Sequence, residues 1–200
     1  MIDTFLKKIK KLNYVKFRFD LPKSKAILQF HQGNSDILRK ALKKDFNIMP
    51  RDPAEIYFWI FIKQIFLFDF SFTTYFKNYV KFTSTKIVIT TIDNNLSFYT
   101  LKNNLENIKF ISIQNGIRHK SDYYFNQNFI KNNSQFLKTL KCDHFFVFNK
   151  YILKKFKKII TSKYHVLGNY KNNYIEVKKT RFRNKFLFIS PGTIGKNESL

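Results

Sequence analysis

Residues 86–95 read KIVITTIDNN, and residues 109–119 read KFISIQNGIRH. Each begins as a short apolar, β-branched run and ends abruptly in polar, amide-rich residues. A strand buried on both faces of a parallel sheet reads this way. A helical pattern over residues 96–105, with Ser97 near its start, joins the two runs. Strand, helix and strand in that order make a right-handed parallel βαβ unit. In open α/β sheets the ligand crevice lies outside the carboxyl ends of the strands. The first candidates for a site are therefore Asp93, Asn94, Asn95, Gln114, Asn115, Gly116, Arg118 and His119.

Upstream, residues 25–31 (KAILQFH) form a strand candidate with Gly33 at the following turn. Asn34 or Ser35 can cap a helix that runs to about Lys44. The single glycine falls short of a dinucleotide fingerprint. Residues 46–50 are a second short strand, and Arg51-Asp52-Pro53 breaks the chain. Residues 55–83 read as a long helical region, bent or broken near residues 69–74. Its most apolar part, residues 56–70, carries Lys63, Gln64 and Asp69 and is too short to span a bilayer. A core-facing helix is the first reading of it, and a monotopic membrane contact the second.

Downstream, residues 117–134 are polar and poor in aliphatics, a loop of a length that favours function. Residues 135–141 read as a short helix and 144–148 as a strand. Residues 151–160 are a basic amphipathic helix, and 164–167 a short strand ending at Gly168-Asn169. Four parts follow. Residues 1–24 are a basic amphipathic lead-in, with Ile2, Phe5, Leu6, Ile9 and Leu12 at helical spacing. Residues 25–170 are an α/β, Rossmann-like domain, a parallel sheet flanked by helices. Residues 171–184 are a charged linker. Residues 185–200 hold the first strand of a second domain, which the sequence reads as truncated.

The 200 residues are 44% hydrophobic and 18% aromatic, enough for a packed core and against wholesale disorder. The formal net charge is +24. Such a charge points to a polyanionic partner. The lysines are dispersed, however, and arginine, which makes planar bidentate phosphate contacts, is scarce. A compositional bias giving a solvated lysine surface is the preferred reading over a nucleic-acid patch. That surface still favours anionic membrane lipids or phosphorylated substrates. The one cysteine, Cys142, excludes an internal disulfide and a multi-cysteine zinc site. It reads as a small buried residue rather than a nucleophile. His31, His119, His144 and His165 are scattered without metal-ligand spacing, so no metal is expected. The amino terminus lacks the features of a signal peptide. A cytoplasmic place is expected, peripheral at the inner face of the plasma membrane.

The strand ends carry the chemistry. Asp93, an acid ending an apolar strand, is either a general base or a helix cap. Asn94 and Asn95 suit a hydroxyl-rich ligand such as a sugar, or serve the turn. Gln114-Asn115-Gly116 places two amides beside a residue that tolerates positive φ and close approach. Arg118 and His119 could hold a phosphate and move a proton.

TIDNN, FISIQNGIR and the later LGNYKNN together resemble bacterial surface-carbohydrate (capsule and lipopolysaccharide) biosynthesis proteins of the GT-B glycosyltransferase type. The resemblance covers roughly residues 25–192. It implies the amino-terminal half of a two-domain, metal-independent transferase that needs no cofactor beyond a nucleotide-sugar co-substrate. The acceptor, a glycan or lipid-linked hydroxyl, would bind this half. Asp93 or His119 would take its proton, and Arg118 with N–H groups near Gly116 would steady phosphate charge. Asn94, Asn95, Gln114 and Asn115 carry over as cleft residues. Gly168, Asn169, Lys171, Asn172 and Asn173 carry over as the approach to the hinge. The sequence departs from the pattern where the donor-binding half should follow. The alternatives are a polyanion or nucleic-acid binding module, a sugar-nucleotide epimerase on the same scaffold, and an inactive remnant.

Overall fold

The β-branched runs that end in amides lie at the centre of a six-stranded, all-parallel sheet. The computed structural model describes residues 16–49, 55–116 and 127–174. The strands are β1 (Lys16–Arg18), β2 (Ile27–Phe30), β3 (Asn47–Met49), β4 (Glu55–Tyr57), β5 (Ile87–Thr90), β6 (Lys109–Ile113), β7 (Lys141–Val147) and β8 (Thr161–Val166). The helices are α1 (Ser35–Leu42), α2 (Phe58–Phe66), α3 (Phe72–Phe82), α4 (Leu96–Leu101), α5 (Gln127–Asn132), α6 (Ser134–Leu137) and α7 (Lys150–Phe156). The main sheet runs β3-β2-β5-β6-β7-β8, and β1 pairs separately with β4.

This is a Rossmann-like α/β fold. The chain steps outward from β2 to β3, then crosses back over β2 to begin β5 beside it. The strand order therefore reverses between β2 and β5, and a doubly wound sheet opens its crevice at such a reversal. Alternation along each strand feeds two cores. Leu28, Phe30, Val88, Phe110 and Phe145 pack with Phe76, Tyr79, Phe98 and Tyr99 on one face. Ile27 and Ile89 pack with Leu38 and Phe46 on the other.

Several local expectations are corrected. The region 55–83 is not one helical run, because its first three residues are β4, in register with β1. Within the expected lead-in at 1–24, Lys16–Arg18 form a strand rather than part of a helix; residues 1–15 lie outside the described residues. The helix then breaks where expected, between α2 and α3. Phe68 takes a left-handed φ of 50°, and the Ser71 hydroxyl caps α3 by accepting the Thr74 N–H. A core-facing α2 is only partly found, since it buries just Ile60 and Gln64. The expected loop at 117–134 contains a helix, α5, and residues 117–126 lie outside the described residues. The strand expected at 144–148 starts at Lys141, which shortens the preceding helix and brings Cys142 into the sheet. Among the described residues no helix is long and apolar enough to cross a membrane.

Candidate functional site

The crevice end of β2 is shaped by backbone that turns at once. Phe30 is the last residue of the strand, and His31 adopts φ 65°. Asn34 follows at φ 51° and opens α1. Left-handed φ is uncommon outside glycine, with Asn and His among the tolerant types. The turn is locked from two strands: Gln29 of β2 donates through Nε2 to the Gly33 carbonyl at 2.7 Å, and the hydroxyl of Thr91, just past β5, donates to the same oxygen. A Cβ on Gly33 would meet Thr91 Oγ1 at 3.3 Å, so the glycine lets the turn lie against β5.

Of the two cap candidates, Asn34 and Ser35, neither caps α1 with its side chain. Asn34 occupies the cap position. Its Nδ2 instead donates to Asn115 Oδ1 at 2.6 Å, beyond the end of β6. Asn115 N in turn donates to Asp93 Oδ1 at 3.1 Å. Asp93 is 1% exposed and does not cap α4. That role falls to Asn95, whose Oδ1 accepts the Ser97 N–H at 3.0 Å. With its oxygen so used, Asn95 turns Nδ2 to His31 Nε2 at 2.7 Å. An amide nitrogen only donates. His31 Nε2 is therefore the acceptor in this contact.

Gln114 is spent on structure. Its Oε1 accepts the Phe148 N–H at 2.8 Å and its Nε2 donates to the Gly116 carbonyl at 2.8 Å, which ties the ends of β6 and β7. Gly116 does not use a positive φ; Gly168, at 78°, does. Among the described residues nothing lies within 4 Å of where a Gly116 Cβ would stand. Asn169 accepts the Lys171 N–H through Oδ1 at 3.2 Å and begins the 3-10 turn Tyr170–Tyr174. Arg118 and His119 lie outside the described residues.

That 3-10 turn brings in a residue the sequence reading missed. Tyr170 is buried against the Asn34–Asp93 side of the crevice. Burial raises its phenol above the ordinary range, the Asn34 amide works against that, and the Asp93 carboxyl adds to it. The Tyr170 hydroxyl faces the Asn34 amide without a well-formed hydrogen bond to it. Gln29 Oε1 and Ser35 Oγ are buried without a hydrogen-bond partner, and both belong to the β2–α1 turn or lie against it. Buried polar atoms are normally satisfied. Gln29 Oε1, Ser35 Oγ and the Tyr170 hydroxyl thus stand near one turn, beside the Asp93 carboxylate, as polar groups that a ligand could satisfy.

The two histidines of the far edge are paired with each other. His144 Nδ1 and His165 Nε2 are 3.1 Å apart across β7 and β8. Among the described residues no cluster of three or more His, Cys, Asp or Glu side chains could hold a metal ion.

Fold and site together define a Rossmann-like α/β protein with an amide- and hydroxyl-lined crevice at its switch point. Residues 111–198, a stretch just under half of the chain, match the family described as "putative O-antigen biosynthesis protein". The match fits a role in surface-polysaccharide synthesis. No curated protein and no solved structure matches the chain.

Proposed function

We propose that the protein is a glycosyltransferase of surface-polysaccharide assembly, of the metal-independent GT-B type. In this reading the switch-point crevice receives the acceptor sugar. The observation that carries it is the pair of buried, unpaired atoms Gln29 Oε1 and Ser35 Oγ at one turn, with the Tyr170 hydroxyl facing Asn34 beside them. Uncharged groups that both donate and accept suit sugar hydroxyls better than they suit an anion. The O-antigen match over residues 111–198 supports the same reading.

The reaction joins an acceptor hydroxyl oxygen to the anomeric carbon of a nucleotide-activated sugar. The bond from that carbon to the diphosphate breaks, and the nucleoside diphosphate leaves with the electron pair. A base takes the hydroxyl proton. Asp93 is buried and already accepts the Asn115 N–H, so we assign it to positioning Asn115. The base is then His119, with Arg118 beside it to balance diphosphate charge. The donor would sit on a second domain.

The test is twofold. A strain lacking the gene should lose or shorten its surface polysaccharide and regain it with the wild-type gene but not with His119→Ala. Purified protein should release nucleoside diphosphate from one member of a nucleotide-sugar panel in the presence of a lipid extract. Unaltered polysaccharide in the deletion strain would sink the reading.

A further inference from the structure

The turn between α2 and α3 carries an unusual surface. Phe66 is 79% exposed and Phe68 is 88% exposed, and Leu67, Phe70 and Phe72 beside them are also open to solvent. Trp59, one helical stripe back from Phe66 at i and i+7, is 53% exposed. Single exposed apolar residues need no explanation, but a contiguous patch of large ones does.

The turn is built to hold these rings out. Phe68 sits at φ 50°, a conformation a bulky side chain adopts only under constraint. Gln64, buried beneath the turn, donates through Nε2 to both the Asp69 and Ser71 carbonyls at 2.9 Å. Leu67, Phe68 and Asp69 donate their N–H groups back to the end of α2. The Asp69 carboxylate folds onto the Ser71 N–H and the Thr74 hydroxyl. The polar backbone of the turn is thus largely satisfied from within while its side chains are apolar. An apolar medium makes that demand of any segment that enters it, since backbone groups find no partner there.

Charge selects the kind of surface. A chain of net charge +24, with Lys63, Lys77 and Lys81 on the two helices of this hairpin, is drawn to an anionic leaflet. Exposed Trp59 at the margin is the residue type that settles at a headgroup boundary. Phe72 meets Phe30 edge-on at 6.2 Å between ring centroids, and Phe30 directly precedes His31. The tip therefore lies at the crevice end of the sheet.

We propose that the α2–α3 tip docks on an anionic lipid bilayer, with Phe66, Leu67 and Phe68 entering the headgroup boundary. The proposal does not depend on the transferase reading: either can fail while the other stands.

The full chain is mixed with vesicles of phosphatidylcholine and phosphatidylglycerol, with pure phosphatidylcholine as the control. Trp59 is the one tryptophan and reports directly. Binding to the mixed vesicles should shift its emission to the blue, and brominated lipid should quench it. Phe66→Ser/Phe68→Ser should lower partitioning by about ten-fold or more at an unchanged circular dichroism spectrum and melting temperature. Both side chains are mostly in solvent, so folding should tolerate the change. Should the double variant unfold, quenching of wild-type Trp59 by brominated lipid decides alone. Equal binding of folded variant and wild type, or binding without a Trp59 shift, overturns the proposal in favour of charge alone. So does a wild-type chain that ignores the vesicles but forms a dimer the variant cannot form.

Discussion

Asn34 Nδ2 and Asn115 Oδ1 lie 2.6 Å apart although 81 positions separate them in the chain. The contact reaches from the turn after β2 to the residue past β6, over the end of the intervening β5. It joins the two sides of the switch-point crevice through uncharged groups. Removing it should loosen the crevice without removing a helix cap, since Asn34 caps nothing with its side chain. Asn34→Gly keeps the left-handed backbone and deletes the amide. In a double-mutant cycle with Asn115→Ala, the coupling should be about 1 kcal/mol. Urea unfolding measures it, and strict additivity would contradict the contact.

Asp93 holds the main chain of Asn115. Asp93→Asn keeps an oxygen able to accept that N–H and should cost about 1 kcal/mol, whereas Asp93→Ala leaves a buried donor unpaired and should cost about 2–3 kcal/mol. The comparison of the two variants by chemical denaturation is the check. Equal losses in the two variants would mean that the negative charge, not the acceptor, is what the site requires.

Asp143 predicts an acid sensitivity. Burial by itself would raise its carboxyl, but the Phe110 N–H, then Lys102 and Lys109, outweigh it and hold the group below the ordinary range. Lys102 Nζ lies 2.9 Å from Asp143 Oδ2 and also donates to the Glu106 and Ile108 carbonyls. A carboxyl depressed in the folded state stabilises fully above its unfolded value of about 3.9. That contribution is lost as pH falls through the lower folded value. Unfolding free energy should therefore drop on acidification below about pH 4 less steeply in Asp143→Asn than in wild type. At neutral pH, Asp143→Ala should cost about 3 kcal/mol, because it leaves the buried Lys102 ammonium with only carbonyl partners and no counter-charge at Asp143.

Cys142 should be chemically silent in the native protein. Burial pushes its thiol up to about 12, against a hydrogen bond to Ser162 that lowers it. The thiolate is the reactive form. An aromatic disulfide reagent at mildly alkaline pH should react about a thousand-fold more slowly with the folded chain than with the unfolded one. Rapid native labelling would restore Cys142 as a candidate nucleophile.

Local signals located the strands well, because burial on both faces leaves an apolar run whatever lies next to it. Lys109–Ile113 matches its expected bounds, and Ile87–Thr90 lies within its expected run. The signals failed where partners decide. Glu55–Tyr57 carries no mark of a strand beyond its apolar residues, and only pairing with Lys16–Arg18 makes it one. The Asn95 cap was legible as polar turn chemistry, yet its second bond, to His31, was not.

The amino-acid sequence by itself determined the parallel α/β architecture and the amide-rich strand ends, since periodicity and β-branching act within a few residues. Tertiary structure alone decided the strand order, and with it the reversal between β2 and β5. That reversal turns Gln29, His31, Asn34 and the distant Tyr170 toward one crevice. It also decided that Gln114 and Asp93 hold backbone, and that the rings of the α2–α3 turn face outward. Each of these depends on which distant groups satisfy a buried donor or acceptor, a quantity that no local pattern of residues encodes.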